Sequence, residues 1–181
     1  MNKHNKIKFV SISLRWIFTI LAIILPITTL LAWLSFPEPF TSEFFSFRVV
    51  PDVPILNKVP TINILLAIVV SCIPLILSLL ICVKLIKVFK SFEVGDFFNS
   101  NNILILKSIA LVLFIKEVIN PVTEAIISGL ITMNNPPGKG LMVASMDQGN
   151  LLNILLAAII LLISWLLSEA YILKEEQAHT I

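Results

Sequence analysis

Four apolar blocks, each long enough to cross a bilayer as a helix, fill most of this 181-residue chain. The third block differs from the others in carrying Lys116, Glu117, Asn120 and Glu124 where hydrocarbon should be. Apolar residues make up 57% of the chain and charged residues 13%, against about 45 to 50% and about 25% in ordinary soluble domains. A water-soluble domain has no means of covering so large an apolar share. The expected fold is an all-α membrane protein forming a single domain over residues 1–181. Its four transmembrane helices, at residues 13–35, 61–83, 103–133 and 150–173, are expected to form an antiparallel bundle.

The net charge of +2 is small, but the positive residues segregate. Lys3, Lys6, Lys8 and Arg15 precede the first span, Lys84, Lys87, Lys90 and Lys107 surround the second connection, and Lys174 follows the last span. The other two connections hold only Arg48, Lys58 and Lys139. Lys and Arg in short loops stay on the cytoplasmic side, so both termini are expected in the cytoplasm. The first apolar run, from Trp16 to Phe36, exceeds the about 7 to 15 residues of a signal-peptide core and reads as an uncleaved anchor. Trp16 and Trp33 bracket it as an aromatic belt does.

Pro26, Pro74 and Pro121 interrupt three of the spans, and Thr28 and Thr29 are placed to satisfy carbonyls freed by Pro26. The first outer connection contains Pro37, Pro39, Pro51, Pro54 and Pro60, too many for a helix. Its Phe36, Phe40, Phe44, Phe45 and Phe47 are expected to rest on the membrane surface or cap the bundle. A short extended segment at residues 47–50 is expected to pair with residues 141–145 of the other outer connection. Beyond Val83 the second helix should continue, because Lys84, Lys87 and Lys90 recur every third residue beside Leu85, Ile86, Val88, Phe89 and Phe92. Gly95 then ends it, and Asn99 or Ser100 caps the next helix. Residues 134–140 read as turns.

At about 100° per residue, Lys116, Glu117, Asn120 and Glu124 share one face of the third helix, flanked by Thr123 and Ser128. Lys116 lies about 13 Å deeper than Lys107, close to mid-bilayer. Each central charge costs about 2.5 to 3.5 kcal/mol on insertion scales, so the face should turn toward protein or trapped water. These residues are the candidate ion, proton or ligand site, or else a lock within the bundle. Ser71, Ser78, Thr28 and Ser164 are candidate partners at that depth.

No HExxH, GxSxG or paired-aspartate pattern is present, so no enzymatic activity is expected. His4 and His179 lie at opposite termini, and no metal or other cofactor is expected. Cys72 and Cys82 sit on one helix, too far round it to bridge each other, and read as small packing residues.

Two stretches carry a family likeness. Phe92-Glu-Val-Gly-Asp-Phe-Phe-Asn-Ser-Asn-Asn102 and Leu173-Lys-Glu-Glu-Gln-Ala-His-Thr-Ile181 resemble the signatures of a bacterial family known as domain of unknown function 2975, small multi-pass inner-membrane proteins. Ala178 stands where that family usually has Asp, and Ser168-Glu169-Ala170 replaces a commonly Arg-Gly-bearing stretch. The resemblance implies no known activity. Its members are often encoded beside a small helix-turn-helix regulator, which implies a cytoplasmic protein partner and no direct contact with nucleic acid. Lys84, Lys87, Lys90, Gly95, Asp96, Asn102, Glu175, Glu176 and Gln177 are the candidate partner-binding residues, the acidic tail meeting the basic face. The alternative is a subunit of an ion or small-solute transporter or channel that uses the polar face of the third helix. Four helices would then have to form a homo-oligomer to make a pore.

Overall fold

A computed structural model describes residues 3–37, 40, 41, 46, 47, 51–96 and 99–179. They form four α-helices: α1 Lys3–Leu34, α2 Thr61–Glu93, α3 Ser100–Thr132 and α4 Gln148–His179. Three segments, Lys6–Leu34, Thr61–Glu93 and Gln148–Lys174, are long and apolar enough to cross a membrane. Lys107, Lys116, Glu117 and Glu124 interrupt the apolar runs of α3, which is not among them. The polar flanks prolong the helices, since α1 starts at Lys3 and α4 runs on to His179. The turn of α2 past Val83 continues to Glu93, as its repeating lysines require.

Successive helices run antiparallel. Arg15 near the start of α1 pairs with Glu93 at the end of α2 at 2.7 Å. Asn63 at the start of α2 donates to the Leu130 carbonyl near the end of α3 at 2.9 Å, and Asn102 at the start of α3 donates to Ser91 Oγ of α2 at the same distance. α1 packs on α2, α2 on α3 and α3 on α4, while α1 and α4 share no comparable interface. The four helices therefore lie in an open row. The reason lies in the outer helices: α1 exposes Ile20, Leu30 and Leu34, and α4 exposes Leu155, Leu162 and Trp165. Such surfaces suit lipid, and in a bilayer no hydrophobic force draws one apolar helix onto another.

The core sits toward the end of α1, where Trp33 packs with Ala67 of α2 and Ile127 of α3, with Phe36, Ile64 and Leu130 against them. Trp33 is buried and donates from Nε1 to Ser71 Oγ at 3.0 Å, so it is a core residue and not half of an aromatic belt. Its indole N–H has a protein partner and no need of the interface. Trp16 is exposed, as a belt residue should be. Pro26, Pro74 and Pro121 all lie inside continuous helices. Thr28 and Thr29 donate to the carbonyls of Ile24 and Leu25, not to that of Ala22, whose helical donor Pro26 removes.

The α1–α2 and α3–α4 connections meet differently from expectation. Residues 40–41 and 46–47 form a two-residue antiparallel pair, residues 48–50 lie outside the described residues, and residues 141–145 carry no strand. The link between the connections is made by amide side chains. Asn135 accepts from the Leu56 N–H at 3.0 Å and donates to the Pro54 carbonyl at 2.9 Å, and Asn57 donates to the Asn134 carbonyl at 2.6 Å. Of the phenylalanines expected at the membrane surface, Phe36 packs against Trp33, with ring centroids 5.7 Å apart. The side chains of Phe40, Phe44, Phe45 and Phe47 lie outside the described residues.

Candidate functional site

Among the described residues Glu117 is the most buried charged group, with its side chain 1% exposed halfway along α3. A carboxylate offers about four lone-pair sites, and each here has a donor. Lys116 Nζ at 2.8 Å and Asn153 Nδ2 at 3.1 Å reach Oε1. Asn150 Nδ2 at 2.7 Å and Asn120 Nδ2 at 3.4 Å reach Oε2. The long lysine stem folds round to its sequence neighbour. Asn150 and Asn153, three apart on α4, present one face to α3 and were not foreseen as partners.

This meeting is set by the chain between α3 and α4. Pro136, Pro137 and Gly138 turn it, with Gly138 at φ +84° and the Lys139 N–H donating to the Pro136 carbonyl at 2.9 Å. The following extended segment then lies back along α3. The Leu141 N–H donates to Thr132 Oγ1 at 2.9 Å and the Val143 N–H to Ser128 Oγ at 2.8 Å, and both the N–H and hydroxyl of Ser145 donate to Glu124 Oε2. Thr132, Ser128 and Glu124 are one helical turn apart, and alternate residues of an extended chain advance by about the same distance, so the two repeats match. These bonds occupy the N–H groups that a partner strand would have used. Met142 lies over Gly129, where a Cβ would come within 3.0 Å of its methyl carbon. Asp147 then starts α4 reciprocally with Asn150: Asp147 Oδ1 accepts from the Asn150 N–H at 2.8 Å, and Asn150 Oδ1 from the Asp147 N–H at 3.2 Å.

The polar face of α3 consequently divides between two neighbours. Glu117, Glu124, Ser128 and Thr132 hold the returning segment and α4. Lys116, Asn120, Thr123 and Glu124 also line a cleft of about 340 Å³, closed on its other sides by Leu25 and Thr29 of α1 and by Ser71, Pro74, Leu75 and Ser78 of α2. Ser71 and Ser78 therefore do reach the site, although their hydroxyls donate to Ile68 and Pro74. Thr28 and Ser164, the other expected partners, bond only to carbonyls of their own helices. Against α2 the lysine lies near mid-helix, but Glu117 is level with the first turn of α4. The two levels differ because α4 begins only halfway along α3.

At the opposite end of α2 a second polar group forms. Gly95, at φ +84°, donates its N–H to the Phe92 carbonyl at 3.1 Å. Asn102, 2% exposed, donates to the Asp96 carbonyl at 2.8 Å as well as to Ser91. Asp96 Oδ2 accepts from Asn99 Nδ2 at 2.8 Å, and Asn99 caps α3 by accepting from the Asn101 N–H at 3.0 Å. Phe89 stacks on Phe18 of α1 at 5.8 Å and meets Phe92 edge-on at 6.2 Å. With the Arg15–Glu93 pair, this ties α1, α2 and α3 together.

A family model described as protein of unknown function (DUF2975) matches residues 13–181, nearly the whole chain. The chain belongs to that family. No match was found among curated proteins or among solved structures. In the first stretch likened above to this family, Glu93, Gly95, Asp96, Asn99 and Asn102 are engaged within the protein in the turn between α2 and α3. Lys87 and Lys90 are exposed and Lys84 is half-buried. Glu176 is exposed on α4, whereas the side chains of Glu175 and Gln177 lie outside the described residues. α3 separates α2 from α4 in the row, which puts the basic face and the tail of this DUF2975 protein on different elements. Among the described residues, no three His, Cys, Asp or Glu side chains come together as metal ligands.

Proposed function

We propose that this chain is a four-crossing protein of the bacterial inner membrane, with both termini cytoplasmic, which acts without catalysis. Its α1–α2–α3 cleft receives a ligand, and its cytoplasmic ends relay that state to a helix-turn-helix regulator. The observation that carries this reading is the double engagement of Glu117. It holds Lys116, a wall of the cleft, and also Asn150 and Asn153 of α4, the helix that bears the C-terminal tail. A change at Lys116 is thereby felt by α4 through one carboxylate. The positive-inside bias supports the topology, and the family's genomic company supports the partner.

With the first signature engaged in its turn, the partner surface reduces to Lys84, Lys87 and Lys90 on α2 and the tail from Glu175 to Gln177. The transporter reading draws on the same cleft. An open row encloses no channel of its own, so that reading requires further copies of the chain.

Affinity purification of the full chain from its native membrane tests the proposal. A helix-turn-helix protein is expected to co-purify, and truncation after Leu173 is expected to abolish the association without lowering membrane abundance. Absence of such a protein from the full-length preparation contradicts the proposal.

A further inference from the structure

Charge in the cleft does not balance. Lys116 is neutralised by Glu117, 2.8 Å away, whereas among the described residues Glu124 is met only by the neutral donors of Ser145. One negative charge is left uncompensated at the end of the cleft farther from Lys116.

The hydroxyls of the lining also offer acceptors. Thr29 gives its hydroxyl hydrogen to the Leu25 carbonyl, Ser78 to Pro74 and Thr123 to Asn120, so what these oxygens retain are lone pairs. Lys116 and Asn120 each turn one N–H to Glu117, at the end of the cleft away from Glu124. A fitting ligand must bring both positive charge and hydrogens. A bare metal ion is too small for a cavity of about 340 Å³, much of whose wall is Leu25, Pro74, Leu75 and Ile127. That wall suits an apolar body.

We propose that the cleft binds a small organic ammonium, its charged head against Glu124 and its apolar body along Leu25, Leu75 and Ile127. The Lys116–Glu117 pair leaves no net charge at the other end, so Glu124 alone fixes which way round the molecule lies. This deepens, and rests on, the reading of the cleft as the ligand-receiving part.

The test uses the full chain in lipid nanodiscs with Trp16→Phe and Trp165→Phe, which leaves Trp33, bonded to Ser71 on the cleft wall, as the sole tryptophan. Hexylammonium is expected to shift Trp33 emission saturably, and hexanoate is not. Glu124→Gln is expected to weaken hexylammonium binding by about tenfold or more. Ser145→Ala removes the hydroxyl contact to the returning segment but keeps the carboxylate, so affinity should stay within about threefold of the parent. Loss of binding in both variants would trace the effect to the displaced segment and overturn the charge assignment. Full affinity in Glu124→Gln, or binding of hexanoate as tight as that of hexylammonium, also overturns it while leaving the cleft as a receiving site. No saturable shift with either compound removes both readings.

Discussion

A buried carboxylate is tolerable only when its charge and its lone pairs are both answered, and Glu117 meets that condition through Lys116, Asn120, Asn150 and Asn153. Removing one partner of such a pair typically costs about 3 to 5 kcal/mol, because the other charge remains buried, whereas replacing both is often close to neutral. Lys116→Met alone is therefore expected to lower the unfolding temperature in detergent sharply, and Lys116→Met with Glu117→Gln to recover most of the loss. Equal damage from the single and the double variant would show that the pair is not the reason these residues are held. The sequence made Lys116 and Glu117 conspicuous because charges interrupt an apolar run. Their asparagine partners could not be read in the same way. Asn150 looks like the polar head of a span at the membrane surface, and only the returning chain brings it level with the middle of α3.

Periodicity makes the four helices of the chain legible, including the prolongation of α2 to Glu93, since a helix is a local pattern of burial and capping. Contacts between side chains and a distant main chain leave no such pattern. Residues 141–145 have the composition of a strand, and their extended course was legible to that extent. Their partner is a helix face, Thr132, Ser128 and Glu124, rather than another strand. Trp33 fails for the same reason: its pairing with Ser71 is tertiary. A neutral hydrogen bond contributes about 1 kcal/mol, so losing one speeds local exchange by about fivefold. Thr132→Val is expected to accelerate amide hydrogen exchange at Leu141, and Ser128→Ala at Val143, with the helices unchanged. Unaltered exchange at both amides would mean that the segment is held by something else.

For the whole molecule, the open row and the staggered starts of α3 and α4 decide where polarity is placed. Apolar faces lie on the outer helices, and the charged groups lie where neighbouring helices meet, Arg15–Glu93 between α1 and α2 and Glu117 between α3 and α4. Among the described helices α3 is the one not apolar enough to cross on composition, yet Lys116 and Glu117 answer each other's charge, which lowers the cost of a crossing. The central claim is that α3 crosses. It is tested most directly with single cysteines at Lys87, before α3, and at Lys139, after it, in a chain carrying Cys72→Ser and Cys82→Ala. Labelled with a membrane-impermeant maleimide, intact spheroplasts are expected to react at position 139 and, at position 87, only after permeabilisation. Reaction of both positions from the same side would contradict the crossing of α3 and the placement of its polar face within the membrane.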